Sequence, residues 1–566
     1  MELNGIGASA GIAVGRVFLY ESKHIKPEEK TFPAEELTLQ LYRLNKSLRA
    51  AGEELDTLAA SLGETPQGKI IAAHCQIIED EEIVGLARDM VTEEYKVPEY
   101  AVYAAFDEFI RLLEDTGDPI ISARAADLHD IRERVLRVLT GAPKKSLAEL
   151  SEPVIVVSYD LSPSDTLTMD RKNVLAIITE TGSITSHTAI IACSLGLPAV
   201  LGIKDCVGIL TDGETVAVDA VNGRVCSALT EQELFVWQER RAEYARQMEE
   251  ERLYIDKPGR LADGTAIEIG LNIGNAQDND SYRYADFIGL FRTEFLYMDG
   301  NHLPTEEEQY QAYKQVLEQA DGKPVTLRTL DIGGDKQLPY FPLPKEENPF
   351  LGLRALRLCL AYPELLRTQL RAALRASVYG SLWIMFPMVG RLADFEMAKS
   401  IYEEEKVNLL AENIPVGREI KLGVMIEIPA LALMAKQVAK AVDFASIGTN
   451  DLCQYLCAAD RMNTEVADYY EMFSPGMVVL LRDVIRAFSQ EGKPLSVCGE
   501  MAGHPQGCVL LAGLGLRKFS VGKSKLASVK AILAACHLSN IQRAAMLCCE
   551  AGSPKEIEKS LANITD

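Results

Sequence analysis

The sequence predicts a multidomain α/β protein: a small α/β domain with a helical bundle inserted into it, followed by a C-terminal (β/α)8 TIM-type barrel. Three observations carry this expectation. The chain has 566 residues, more than one hydrophobic core spans. Residues 34–140 place apolar side chains at three- and four-residue steps, between two stretches of short β-rich runs. Beyond residue 260, eight short apolar runs alternate with segments that are mostly long enough for helices.

The elements follow in order. The first 20 residues are rich in Gly, Ala and Val and read as strands. The helical block then runs through "AEELTLQLYRLNKSLRAAGEELDTLAASL", "GKIIAAHCQIIEDEEIVGLARDMV", "VPEYAVYAAFDEFIRLLED" and "SARAADLHDIRERVLRVLTG". Gly63, Pro98 and the segment 117–119 mark its turns, so about four helices are expected. From 153 the period shortens to "PVIVVS", "VLAIIT", "AVLG", "ETVAVDA" and "GRVCSAL", with a helix expected at about 186–195. Residues 1–20 and 145–228 are therefore assigned to one α/β domain and residues 21–144 to the helical insertion. The charged stretch 229–255 reads as a linker helix, and 256–566 as the barrel. Its candidate strands are "AIEIGLNI", "FIGLFR", "VTLRTLDI", "LWIMFPM", "LGVMIEI", "FASIG", "PLSVCG" and "KFSVG".

Charge and composition exclude several function classes. Lys and Arg number 58 against 82 Asp and Glu, a net charge of −24, which disfavours nucleic acid and anionic membranes and favours a basic protein partner. No run is apolar and long enough to insert in a membrane. The opening residues lack a basic and apolar leader, and the 12 cysteines have no regular spacing, so a reducing cytoplasmic setting is expected. The 7 histidines form no zinc-binding pattern.

In a barrel of this kind, chemistry lies at the C-terminal ends of the strands. Arg292, Arg328, Glu427, Asn450, Asp451 and Cys498 fall at or just beyond such ends, and Arg354, Arg357 and Arg461 on segments nearby. Clustered arginines need anions, and guanidinium pairs well with carboxylate and phosphate. Two carboxylates, Glu427 and Asp451, suit magnesium completed by substrate oxygens and water. The set predicts a small substrate with a phosphate and a carboxylate. Taken singly, each residue has an ordinary explanation: a salt bridge, a helix cap, a small core thiol. Their joint occurrence at one face favours the functional reading. His187 follows "GSITS" and precedes an apolar helical run. A helix N-terminus with Thr185 and Ser186 hydroxyls would cradle a phosphoryl group, although His187 alone reads more readily as a packed core residue.

These motifs resemble, over essentially the whole length, the Enzyme I family of the bacterial phosphoenolpyruvate:sugar phosphotransferase system. The resemblance rests on "GIGASAGIAVGRVF", "AHCQIIEDEE", "ITSHTAIIACSLGLPAVLG", "GLFRTEFLYM", "RTLDIGGDK", "NPFLGLRALR", "GVMIEIPA", "FASIGTNDLCQY", "AADR" and "CGEMAG". It implies that the α/β domain swivels, and that His187 takes the phosphoryl group of phosphoenolpyruvate (PEP) and passes it to the phosphocarrier protein HPr. It also implies PEP contacts from Arg292, Arg328, Arg354, Arg461, Asn450 and Lys336, Mg2+ on Glu427 and Asp451, and protonation of the enolate to pyruvate by Cys498. Docking of HPr on the helical block and a homodimer formed through the barrel are implied in the same way. The related PEP synthases and pyruvate phosphate dikinases also need an ATP-grasp domain, for which no segment remains; a PEP-sensing paralogue without turnover is the other reading. Departures from the family pattern fall at Ser183, Cys193 (where an Arg is usual), His129 and Arg132.

Overall fold

The computed structural model describes the chain except residues 21–26, 63–70, 72–73, 79, 115–118, 142–146, 148–149, 162–164, 166–168, 171, 183–185, 275–280, 299, 301, 334–337, 339, 345, 462 and 563–566. Two compact units emerge, Met1–Arg246 and Gln247–Asp566.

In the first unit, eight strands form one sheet. They are β1 (Glu2–Asn4), β2 (Ile6–Ser9), β3 (Ile12–Leu19), β4 (Val154–Ser158), β5 (Val174–Thr179), β6 (Ala199–Leu201), β7 (Thr215–Asp219) and β8 (Arg224–Cys226). Their order is β1-β8-β7-β3-β4-β5-β6-β2. The pairs β3–β4, β4–β5 and β5–β6 are parallel. β4 is buried at every position, as a strand covered on both faces must be. Each face has its own apolar cluster: Val17, Ile155, Ile178 and Val218 on one, Val156, Ile177, Ala189 and Leu201 on the other.

Between β3 and β4 lie helices α1 (Leu37–Leu62), α2 (Glu81–Thr92), α3 (Pro98–Glu114) and α4 (Pro119–Thr140). Their apolar stripes meet in a separate core around Leu44, Leu55, Val91, Phe106 and Ile131. Asp80 caps α2 by accepting the Glu82 N–H at 2.8 Å. Pro98 opens α3, where its missing N–H costs nothing. The turn residues Gly63 and Gly117 lie outside the described residues. Further along the chain come α5 (His187–Leu195) and α6 (Glu231–Arg252). No side chain of α6 is buried, in keeping with its charged sequence, and the division between the two units falls within it.

The second unit is a closed barrel of parallel strands in the order β10-β11-β12-β13-β14-β15-β16-β9. They are β9 (Glu268–Ile273), β10 (Ile288–Phe291), β11 (Val325–Arg328), β12 (Leu382–Phe386), β13 (Lys421–Ile426), β14 (Phe444–Ile447), β15 (Leu495–Val497) and β16 (Lys518–Val521). Each barrel run read as a strand in the sequence overlaps one of these, with β13 beginning one residue before its run, at Lys421. The interior is packed by Leu290, Met385, Met425, Phe444 and Cys498 against Trp383. The Trp383 and Phe444 rings lie 4.8 Å apart. The barrel is thus a filled core that leaves only its mouth for chemistry.

Among the described residues, no helix is long and apolar enough to cross a membrane.

Candidate functional site

The site is built where strands end. Arg292 follows β10, Arg328 closes β11, Glu427 follows β13 and Cys498 follows β15. Asn450 and Asp451 sit in the first turn of α7 (Thr449–Cys457), which begins beside Gly448 at the end of β14. Gly448 leaves room for its neighbour: a Cβ there would come within 2.8 Å of Glu427 Oε2.

Charges interlock across these loops. Arg328 is buried; its Nη2 donates to Glu294 Oε1 at 2.7 Å and its Nη1 lies 3.0 Å from Asp331 Oδ2. Arg354 is also buried and donates from Nη2 to Asp331 Oδ1 at 2.9 Å. Its Nη1 lies 3.6 Å from Asp451 Oδ1, and Arg461 Nη1 approaches the same oxygen at 3.8 Å. Burial opposes the charges on Arg328 and Arg354, but the carboxylates around them more than offset it and hold both pKa values above the usual arginine range. Arg292 behaves differently. It is exposed to solvent, yet the protein atoms crowding it, then the Arg328 charge, pull its pKa down. A guanidinium in that position calls for an anion.

The carboxylates are short of positive charge in turn. Glu427 is buried and its Oε1 accepts the Met388 N–H at 2.5 Å. Burial, then Asp451 and Asp331, pushes its carboxyl up to about 8. Asp451 Oδ1 is buried and accepts no hydrogen bond among the described residues, and Arg328 Nε, Arg354 Nε and Thr449 Oγ1 likewise find no partner there. Buried polar groups without protein partners suit a polar or charged ligand. Crowded carboxylates with an unsatisfied oxygen fit a hard divalent cation. The described residues contain no group of three or more His, Cys, Asp or Glu at metal-binding spacing, so substrate or water oxygens would have to complete its shell.

A stability prediction arises from Glu427. Its folded value of about 8 lies above the ordinary 4.5, so the stabilisation supplied by its proton is full below about 4.5 and is lost as pH rises through 8. Glu427→Gln cannot ionise. In metal-free buffer the variant is expected to melt above the wild type by a margin that opens between these two pH values, reaches a few kcal/mol, and stays constant beyond. Parallel melting curves from pH 5 to 9 would show that the carboxyl is not pushed up.

Cys498 is buried, with its Sγ 3.7 Å from the Ile447 carbonyl oxygen. Burial pushes its thiol up to about 11, while Ser446, Arg328 and Arg292 pull the other way. The thiol therefore carries its proton at neutral pH, and the arginines moderate the cost of losing it. Asn450 faces Glu500: its Oδ1 accepts the Glu500 N–H at 2.8 Å and its Nδ2 donates to Glu500 Oε1 at 3.0 Å. Arg357 turns to main-chain carbonyls, donating to Leu351 O at 2.9 Å. Lys336 lies outside the described residues.

In the other unit, His187 is the first residue of α5. Ser186 caps the helix by accepting the Ala189 N–H at 3.3 Å. The helix ends at Gly196 in the left-handed region, φ 66°, where the Leu197 N–H returns to Ala192 O at 3.0 Å. The helix start thus lies between parallel strands β5 and β6, beyond the C-terminal end of β5, where α/β sheets bind ligands. Ser183 and Thr185 lie outside the described residues. Cys193 is exposed, one and a half turns along, with its thiol 3.1 Å from Ala8 O.

Two carboxylates of the mouth escaped the sequence reading, Glu294 and Asp331. Both sit inside recognised motifs, two and three residues beyond Arg292 and Arg328. An arginine at a strand end followed at that spacing by an acid was the available signal.

Comparisons with known proteins agree with this layout. Residues 4–124 match the model "PEP-utilising enzyme, N-terminal", residues 150–223 "PEP-utilising enzyme, mobile domain", and residues 248–538 "PEP-utilising enzyme, PEP-binding domain". A phosphoenolpyruvate-protein phosphotransferase from Geobacillus stearothermophilus is 43% identical over 94% of this chain and 92% of its own. The protein of that name from Streptococcus equinus is 40% identical over 99% of both, and the one from Bacillus subtilis 42% identical over 93% of both. With matches of this extent spanning both units, the chain belongs to the phosphoenolpyruvate-protein phosphotransferase family.

Proposed function

We propose that the chain transfers the phosphoryl group of PEP to His187, releases pyruvate, and passes the group to a histidine of HPr, as the first step of the sugar phosphotransferase system. The observation that carries this reading is the meeting of Arg292, Arg328, Arg354, Arg461, Glu427, Asp451 and Cys498 at one barrel mouth, with several of their polar atoms unsatisfied.

The chemistry follows from these groups. Arg292, Arg328, Arg354 and Arg461 hold the phosphate and carboxylate of PEP, aided by Asn450 and Lys336. Glu427 and Asp451 would hold Mg2+, which when bound neutralises phosphate charge. Neutral His187 imidazole attacks phosphorus, the bond to the enol oxygen breaks, and the electron pair leaves with the enolate. The Cys498 thiol gives its proton to the methylene carbon, forming pyruvate; the resulting thiolate faces Arg328 and Arg292 and regains a proton from solvent. His187 and the barrel belong to different units, so the reading requires them to meet during the cycle; the "mobile domain" description of residues 150–223 supports that. HPr docks on the helical block, where the acidic run Asp80–Glu82 is exposed and suits a basic partner. The reading also includes a homodimer through the barrel and action in the cytoplasm.

The test is incubation with 32P-labelled PEP and Mg2+. The expected product is a label on the chain that is stable to base and labile to acid, lost to added HPr and absent with a chelator. A wild-type chain that takes no label would instead be a PEP-sensing relative.

A further inference from the structure

Behind the barrel mouth, one side-chain amide ties together the two loops that carry its arginines. Gln369 lies on the helix Pro363–Ala376 and is fully buried. Its Oε1 accepts the Leu330 N–H at 2.8 Å, and its Nε2 donates to Thr293 Oγ1 at 3.2 Å and to Tyr313 OH at 3.0 Å. Thr293 Oγ1 in turn donates to the Arg328 carbonyl at 3.0 Å, and Tyr313 OH donates to Gln309 Oε1 at 2.9 Å. Every direction is forced. A main-chain N–H can only donate, so the amide oxygen must face Leu330; a carbonyl can only accept, so Thr293 must receive from the amide nitrogen.

The positions joined are telling. Thr293 sits between Arg292 and Glu294, and Leu330 between Arg328 and Asp331. Arg328 itself bridges the two loops through Glu294 at 2.7 Å. A buried network with all members satisfied holds geometry more tightly than apolar packing, because each group pays a desolvation penalty if it moves away. Among the described residues, the amide hydrogen-bonds to no side chain assigned to PEP.

We propose that Gln369 is a positioning residue that sets the spacing of Arg292 and Arg328, and with it the affinity for PEP. This rests on the proposed function. The test compares steady-state PEP kinetics of the full-length wild type, Gln369→Leu, Thr293→Val and Gln309→Leu. Gln309 belongs to the same network, bonded to Tyr313, Tyr297 and Pro304, but it bonds to neither Thr293 nor Leu330. Gln369→Leu is expected to raise KM for PEP about tenfold with kcat changed much less, because the arginines act on the bound substrate and a small misplacement weakens it. Thr293→Val, which cuts one link and leaves the helix packing intact, moves KM in the same direction by a smaller factor. Gln309→Leu lowers the melting temperature and leaves KM near the wild-type value. A purely structural role would reduce the active fraction, which lowers apparent kcat and leaves KM alone. Unchanged KM in both Gln369→Leu and Thr293→Val, or an equal KM rise in Gln309→Leu, overturns the proposal. Should Gln369→Leu fail to fold, Thr293→Val alone decides it. A wild type that takes no phosphoryl group from PEP overturns the proposed function itself and this inference with it.

Discussion

Replacing His187 with alanine is expected to abolish labelling of the chain by 32P-PEP and every later transfer to HPr. The nucleophile is the one group whose loss the rest of the site cannot replace, since arginines and a metal ion only stabilise a transfer that needs an acceptor. The substitution falls at the first position of α5, where alanine is tolerated and the Ser186 cap is retained, so the fold should survive. Circular dichroism and melting temperature check that. PEP binding by the barrel should also survive, because every described barrel residue assigned to PEP lies in the other unit. A variant that binds PEP, stays folded and takes no label separates the carrier role from a structural one.

The second large effect is expected at Cys498. Cys498→Ala should slow pyruvate release by about two to four orders of magnitude, the usual worth of a positioned general acid. The thiol is pushed up to about 11, so it remains protonated from neutral pH to well above the range of an ordinary cysteine. The proton-donor limb of the wild-type rate should therefore stay flat between pH 7 and 9.5 and fall only toward 11. Pyruvate measured with a coupled dehydrogenase reads both effects. A decline centred near pH 8.5 would mean that the thiol is not held up by its surroundings, and an unaffected rate in Cys498→Ala would remove it from the mechanism.

Much of this architecture was legible in the sequence because it depends on local signals. "FASIG" and "KFSVG" are short, apolar and flanked by helical segments, and each forms a barrel strand. The inserted bundle was visible in the change from two-residue to three- and four-residue periods, with Pro98 opening a helix. Arg328, Glu427 and Cys498 stood out because a charge or thiol at the end of an apolar strand is unusual. What stayed hidden were partnerships between distant positions. Nothing local says that Asp331 serves both Arg328 and Arg354, or that Met388, at φ 55°, turns its N–H toward Glu427. Gln369 is one polar residue on an amphipathic helix, and only the closed barrel brings it to Thr293 and Leu330. His129 and Arg132, departures from the family pattern, pair at 3.0 Å, with the buried Arg132 also 3.3 Å from Asp107 and stacked 4.6 Å from the Tyr103 ring. Arg132 is thus an internal brace of the bundle.

The proposed reaction moves a phosphoryl group from PEP to one histidine of this chain. The most direct measurement is to treat the protein with PEP and Mg2+, digest it under basic conditions that preserve phosphohistidine, and locate the added phosphate by mass spectrometry. The expected product is a single phosphorylated peptide containing His187, with pyruvate released in equal amount. Phosphate on another residue, or pyruvate formed with no phosphate on the chain, would contradict it.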